Sequence, residues 1–182
     1  MHERFIGNPD LGQVRQPEGS ELCFAALSAS VSREALGDVD QALQVAFVSE
    51  TDGSTPPPFA ARTEVALGQS GKTLVVEAIQ GYEQEASDVE GVISNIDASL
   101  RQNTPVALLF NKTDDPEVAR MHWVLLTGYT YARDTDIVEG VLIMDPERED
   151  KYLANPVEVV EMIDRSMGTT GVFAYALNVE EQ

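Results

Sequence analysis

Cys23 is the only cysteine of this chain, and apart from His2 the only histidine is His122. A thiolate is the reactive form of cysteine. Its formation near neutral pH requires something to lower a thiol pKa of about 8.5, such as a helix N-terminus or a nearby imidazolium. The segment Glu21-Leu-Cys23-Phe-Ala-Ala-Leu-Ser places the sulfur in the first turn of an expected helix with Ser20 as its N-cap. His122 follows the acidic loop Lys112-Thr-Asp-Asp-Pro-Glu117 and opens the apolar run Trp123-Val-Leu-Leu126, which reads as the head of a strand. A thiol–imidazole catalyst built from this chain can therefore use only this pair. The competing readings are that Cys23, between Leu22 and Phe24, is a small buried hydrophobe, and that His122 is a surface side chain bonded to neighbouring backbone.

Asp145, in Met144-Asp145-Pro146, closes the next expected strand 23 residues after His122, a separation that a hairpin would fold back alongside it. Its carboxylate is expected to accept the Nδ1–H of His122, fixing the tautomer and stabilising the cation. Asp-Pro is also an ordinary strand-ending turn. Attack on a carbonyl further requires donors for the oxyanion. Gln16, seven positions before Cys23, offers a side-chain amide to act with the Cys23 backbone N–H, and Gln13 is a rival for that role.

These residues need elements to carry them. Residues 1–15 read as irregular, and a helix is expected from Ser20 to Leu36, ended by Gly37. A second is expected over Asp38 to Ser49, with Leu43, Ala46 and Phe47 inward. Between Glu50 and Gly71 the text is loop-like, with a short helix conceivable over Phe59 to Leu67. Thr73 to Ile79 reads as a strand, and Ser87-Asp-Val-Glu90 as a capping box opening a helix through Val92, Ile93, Ile96 and Leu100. Asn103-Thr-Pro105 stops that helix. Pro105–Phe110, His122–Tyr131, Val138–Met144 and Gly171–Val179 are strand-like, with a helix over Pro156 to Arg165. The expectation is a single α+β domain over residues 1–182, mainly helical across 20–102 and mainly antiparallel β across 105–179, with the site between the two parts.

At 182 residues and 43% hydrophobic, the chain suits one core. Its net charge of −19, from 31 acidic and 12 basic residues, disfavours nucleic acid, because a polyphosphate would be repelled. That charge keeps the protein soluble, draws in a basic peptide partner, or reflects a high-salt habitat. No apolar run approaches a membrane span and no secretory signal is evident, so the expected location is cytoplasmic, or outside the cell by a route without a cleaved signal. One cysteine makes neither an internal disulfide nor a thiolate metal site, and no metal or other cofactor is expected.

The blocks Gln16-Pro-Glu-Gly-Ser-Glu-Leu-Cys23-Phe-Ala-Ala-Leu, Ile96-Asp-Ala-Ser-Leu100 through Asn103-Thr-Pro105-Val-Ala-Leu-Leu, and His122-Trp-Val-Leu-Leu-Thr-Gly128-Tyr129 with Val141-Leu-Ile-Met-Asp145-Pro146 together resemble the papain-like cysteine peptidases in their compact bacterial form. That group includes plant-targeting effectors and peptidases that cut double-glycine leaders. The resemblance spans roughly Gln16 to Val179 in order, with Asp38 to Ala86 unmatched. It implies Cys23 as nucleophile, His122 as base, Asp145 as its orienting acid, Gln16 at the oxyanion, no metal, and cleavage of a peptide or isopeptide bond through a thioester. Phe24 stands where the family has tryptophan, Met121 precedes the histidine, and the Gln16 to Cys23 spacing is a residue longer than in papain. Two other functions use the same framework: an acyltransferase or transglutaminase-like enzyme in which an amine resolves the thioester, and a catalytically silent binding module. A third reading, a phosphate loop at Ala66-Leu-Gly-Gln-Ser-Gly71-Lys72-Thr73, needs a helix after it, whereas a strand-like run follows.

Overall fold

The computed structural model describes residues 4–7, 11, 13, 23–36, 62–67, 70–80, 88–112, 120–132, 134–135, 137–148, 150–169 and 172–181. The expected helix over Asp38 to Ser49 lies outside them. The elements, in chain order, are β1 (Arg4–Gly7), α1 (Cys23–Leu36), β2 (Arg62–Ala66), β3 (Lys72–Gln80), α2 (Val89–Arg101), β4 (Val106–Asn111), β5 (Met121–Tyr131), β6 (Val138–Met144), β7 (Tyr152–Ala154), α3 (Pro156–Thr169) and β8 (Phe173–Glu181). The architecture is α+β. The eight described strands join one antiparallel sheet, seven of them in the order β2-β3-β8-β4-β5-β6-β7, with β1 paired to the second half of β5. On its α2/α3 face Val92, Ile96 and Leu100 of α2 and Val159 and Ile163 of α3 bury against Val106, Leu108, Val124, Leu126 and Ile143. On the other face Phe24 and Leu27 of α1 pack with Leu74, Ala107, Trp123, Leu125, Met144 and Tyr175.

Helix α2 forms where the sequence places it, because Val92, Ile96 and Leu100 recur at one-turn spacing and are buried. Its cap is Asp88, whose Oδ1 accepts from Gly91 N at 2.8 Å, rather than Ser87, which lies outside the described residues. At the far end Asn103 takes a left-handed φ of 58°, and Thr104 N bonds back to Ser99 O at 3.1 Å, which stops the helix as a C-terminal cap does. Three expectations need correction. Residues 62–66, inside the segment read as a short helix over Phe59 to Leu67, form β2, whose alternating exposure fits a half-covered edge strand. The irregular N-terminal stretch contains β1. The mainly helical part over 20–102 contributes β2 and β3 to the same sheet as the strands beyond 105.

Strand β5 carries the candidate histidine. From His122 to Tyr131 every residue is buried. β6 borders one edge, while β4 and then β1 border the other. The β5–β6 ladder changes register between Leu126 and Gly128, so Thr127 is an extra residue, a bulge that locally bends the strand. As a result Leu126 and Tyr129, three positions apart, both face α2 and α3. Just past the bulge Gly128 lies opposite Gly7 of β1, whose φ is +95°. A methyl group on Gly128 would fall 2.2 Å from Ile6 O. No helix among the described residues is long and apolar enough to cross a membrane.

Gly128→Ala is expected to push β1 off β5 and to destabilise the fold by about 1–3 kcal/mol, the usual cost of overpacking. Urea unfolding with an unchanged m-value and a lower midpoint is the expected result.

Candidate active site

The β5–β6 pairing builds the site's centre. Leu125 lies opposite Met144, so Asp145, the next residue, lies diagonally across from His122 on the same face. His122 Nε2 and Asp145 Oδ1 are 2.8 Å apart. The imidazole is 3% exposed and the carboxylate 13%, and the ring stands edge-on to Phe110, its partner on β4, at 6.0 Å. The nitrogen engaged is Nε2, not the Nδ1 expected from sequence. An ionised carboxylate only accepts, so the neutral ring carries its proton on Nε2 and presents Nδ1 as its basic atom.

The turn after β6 holds the carboxylate from behind. Glu147 N donates to Asp145 Oδ1 at 2.9 Å and Arg148 N to Asp145 O at 3.0 Å, an Asp-initiated turn of the ordinary kind. Burial raises the Asp145 pKa, but hydrogen bonds from His122 and Glu147 N, with the charges of His122 and Lys112, outweigh it and hold the carboxyl below the ordinary value. Lys112 Nζ bonds Glu147 Oε2 at 2.9 Å, and that carboxylate lies 3.9 Å from His122 Nε2. Exposed on both sides, the Lys112–Glu147 pair contributes at most about 1 kcal/mol. Neither residue was singled out from sequence. Glu147, two after Asp145, carried a signal in the turn chemistry of Asp-Pro, while Lys112 carried none.

Among the described residues, His122, Asp145 and Glu147 are also grouped as a metal-binding set would be, with ligand atoms all within 4.8 Å of one another. Their chemistry does not favour an ion. Lys112 already neutralises Glu147, and Nε2 is bonded to the carboxylate that would share the metal.

Cys23 is the first described residue of α1. Its side chain, Ser20 and Gln16 lie outside the described part of the structure. The next residue, Phe24, is fully buried and packs edge-to-face on Trp123, the neighbour of His122, with centroids 5.0 Å apart. Tyr175 of β8 completes the group at 6.4 Å from Phe24 and 5.9 Å from Trp123. The start of α1 therefore sits over the start of β5. Strand alternation sends Trp123 toward α1 and His122 to the opposite face of the sheet, beside Phe110.

Gln13 does not serve an oxyanion. Its Nε2 donates to Asp145 O and Arg148 O, each at 2.7 Å, which occupies both amide hydrogens. The phosphate-loop reading falls on a β2–β3 hairpin, where Leu67 N bonds Lys72 O at 3.0 Å and β3 follows directly. Elsewhere, Tyr129 donates to Asp97, which also receives Arg101 Nε at 2.9 Å. Burial, then the Asp97 hydrogen bond and charge, raise the Tyr129 pKa well above the ordinary phenol value. This pair borders an apolar cavity of about 140 Å³ between α2, α3 and the sheet, which His122 does not line.

No protein-family model matches the chain, and no curated protein matches it.

Because the folded Asp145 carboxyl titrates below the ordinary value, its ionised form is the one the fold favours. Its contribution to stability is fully present above about pH 3.9 and is lost as pH falls through the lower folded pKa. Asp145→Asn should therefore lower stability near neutral pH, and the gap from the parent protein should narrow below about pH 4. Urea unfolding of both proteins across that range measures it, and a constant gap contradicts the assignment.

Proposed function

We propose that this protein is a cysteine peptidase of papain-like construction, hydrolysing a peptide or isopeptide bond through a thioester. The observation that carries this reading is the His122–Asp145 hydrogen bond made through Nε2, next in sequence to the Trp123 on which Phe24 of α1 packs. Nδ1 is then the proton-accepting atom, and an imidazole this enclosed exchanges protons with a group lodged beside it rather than with bulk water.

In the proposed reaction Cys23 transfers its proton to His122 Nδ1 and attacks the substrate carbonyl. The helix N-terminus stabilises the thiolate, and Asp145 stabilises the imidazolium. The Cys23 backbone N–H, with Gln16, binds the oxyanion. His122 then protonates the departing amine, leaving the acyl group on sulfur, and activates water to release it. The strongly acidic chain fits a substrate with basic character.

A peptide library with mass-spectrometric detection tests this. Cys23→Ala should abolish turnover with the fold intact, and His122→Ala should lower kcat/KM by about 10³-fold. Asp145→Asn should cost less, about 10²-fold, since the ring's orientation is impaired while its base remains. A trapped acyl group on Cys23 that water resolves as fast as added amines supports hydrolysis, whereas strong acceleration by amines indicates acyl transfer. Iodoacetamide labelling of Cys23 at pH 6 no faster than that of a simple thiol, and indifferent to His122, would overturn the proposal.

A further inference from the structure

The segment before α1 is tied to the turn that carries Asp145. Gln13 Nε2 donates at 2.7 Å to the carbonyls of both Asp145 and Arg148, the first and last residues of that turn. Two residues earlier, Leu11 is buried in the cluster that holds Phe24, Trp123 and Met144, and its carbonyl accepts Lys151 Nζ at 2.9 Å. The amide's orientation is set by chemistry. The flipped rotamer would place its oxygen against two carbonyl oxygens, so the nitrogen must face the turn. This leaves Gln13 Oε1 buried without a hydrogen-bond partner among the described residues, so the nitrogen alone accounts for the side chain's polar contacts there.

We infer that Gln13 is a positioning residue, a strap that fixes the Asp145 turn and thereby holds the carboxylate on His122 Nε2. Other restraints on the turn are Arg148 N on Asp145 O, Glu147 N on Asp145 Oδ1, the Lys112–Glu147 pair, and the Arg148 guanidinium 4.1 Å from the centre of the Tyr152 ring. The first two lie within the turn, and the others hold the side chains of Glu147 and Arg148. Among the described residues, Gln13 is the group from outside the turn that bonds its backbone carbonyls, bridging its two ends next to a buried anchor at Leu11. A carboxamide suits the position because one nitrogen supplies two hydrogens in a fixed plane, one for each carbonyl. The carboxylate oxygen that meets the imidazole then depends on a residue 132 positions earlier in the chain.

The test compares two substitutions of similar length. Gln13→Met removes both donors, and Gln13→Lys keeps donors. His122 and His2 are the only histidines, so imidazole labelling with ¹⁵N makes the His122 Nε2 proton directly assignable. Gln13→Met should accelerate solvent exchange of that proton by about 10-fold or more, because the Asp145 turn opens locally more often. Gln13→Lys should restore most of the protection. Asn95→Ala, which deletes a remote side-chain bond to Ile79 O, should change nothing at His122. The kinetic arm rests on the peptidase reading: kcat should fall about 10-fold in Gln13→Met with KM nearly unchanged, as misorientation of a base predicts.

Equal exchange in the parent protein and a folded Gln13→Met, or equal behaviour of the Met and Lys variants, overturns the strap. So does an equal effect from Asn95→Ala, which would mean general loosening. If the parent protein shows no Cys23-dependent cleavage, the peptidase reading falls, and the proton measurement still decides the role of Gln13.

Discussion

One extra residue in the β5–β6 ladder sets the geometry of everything around it. Up to Leu126 the ladder runs in the register that pairs Leu125 with Met144, and beyond Thr127 it runs one residue offset. Side chains alternate along a strand, so a one-residue slip moves a whole set from one face to the other. If the Thr127 bulge alone were absent and the offset register ran on to the end of the ladder, Asp145 would fall opposite Leu125, on the strand face turned away from His122. A second irregularity between Thr130 and Tyr131 returns the register. The offset is therefore confined to the stretch where β1 crosses at Gly7 and Gly128.

The pair's place at the ends of two strands explains how buried ionisable groups coexist with an apolar sheet. Asp145 stands just past the last residue of β6, where the turn's own N–H groups reach its carboxylate, and His122 stands at the opening of β5 beside exposed Met121. A few residues further along, the same strand is covered on both faces by hydrocarbon and an unpaired charge would be prohibitive. The polar pair is placed at the one end of the sheet's centre where bonding partners are at hand, and the apolar layers hold its backbone in place.

Much of the architecture was legible because its signals are local. The four-residue spacing in α2, the left-handed Asn103, and the apolar runs of β4, β5, β6 and β8 each follow from neighbours in sequence. Strand β1 was missed because four residues carry no period, and it is stabilised by pairing with β5. β2 was misread for a related reason: Arg62-Thr-Glu-Val-Ala66 is short and polar, and its partner β3 determines its conformation. That His122 and Asp145 share a hairpin was readable from their spacing. Which ring nitrogen is engaged was not, since this depends on the ring's rotamer beside Phe110 and on where the turn after β6 sets the carboxylate, and no pattern in the chain announces either. Gln13 was noticed for its amide, but its partners are set by tertiary contacts alone.

Trp123 is the only tryptophan, and it lies against Phe24 and Tyr175, adjacent in sequence to the imidazole it accompanies. The chain thus carries its own optical gauge of how α1 seats on the sheet. Emission from this indole reports on the docking of the helix that carries Cys23, with no label attached to that residue or to His122.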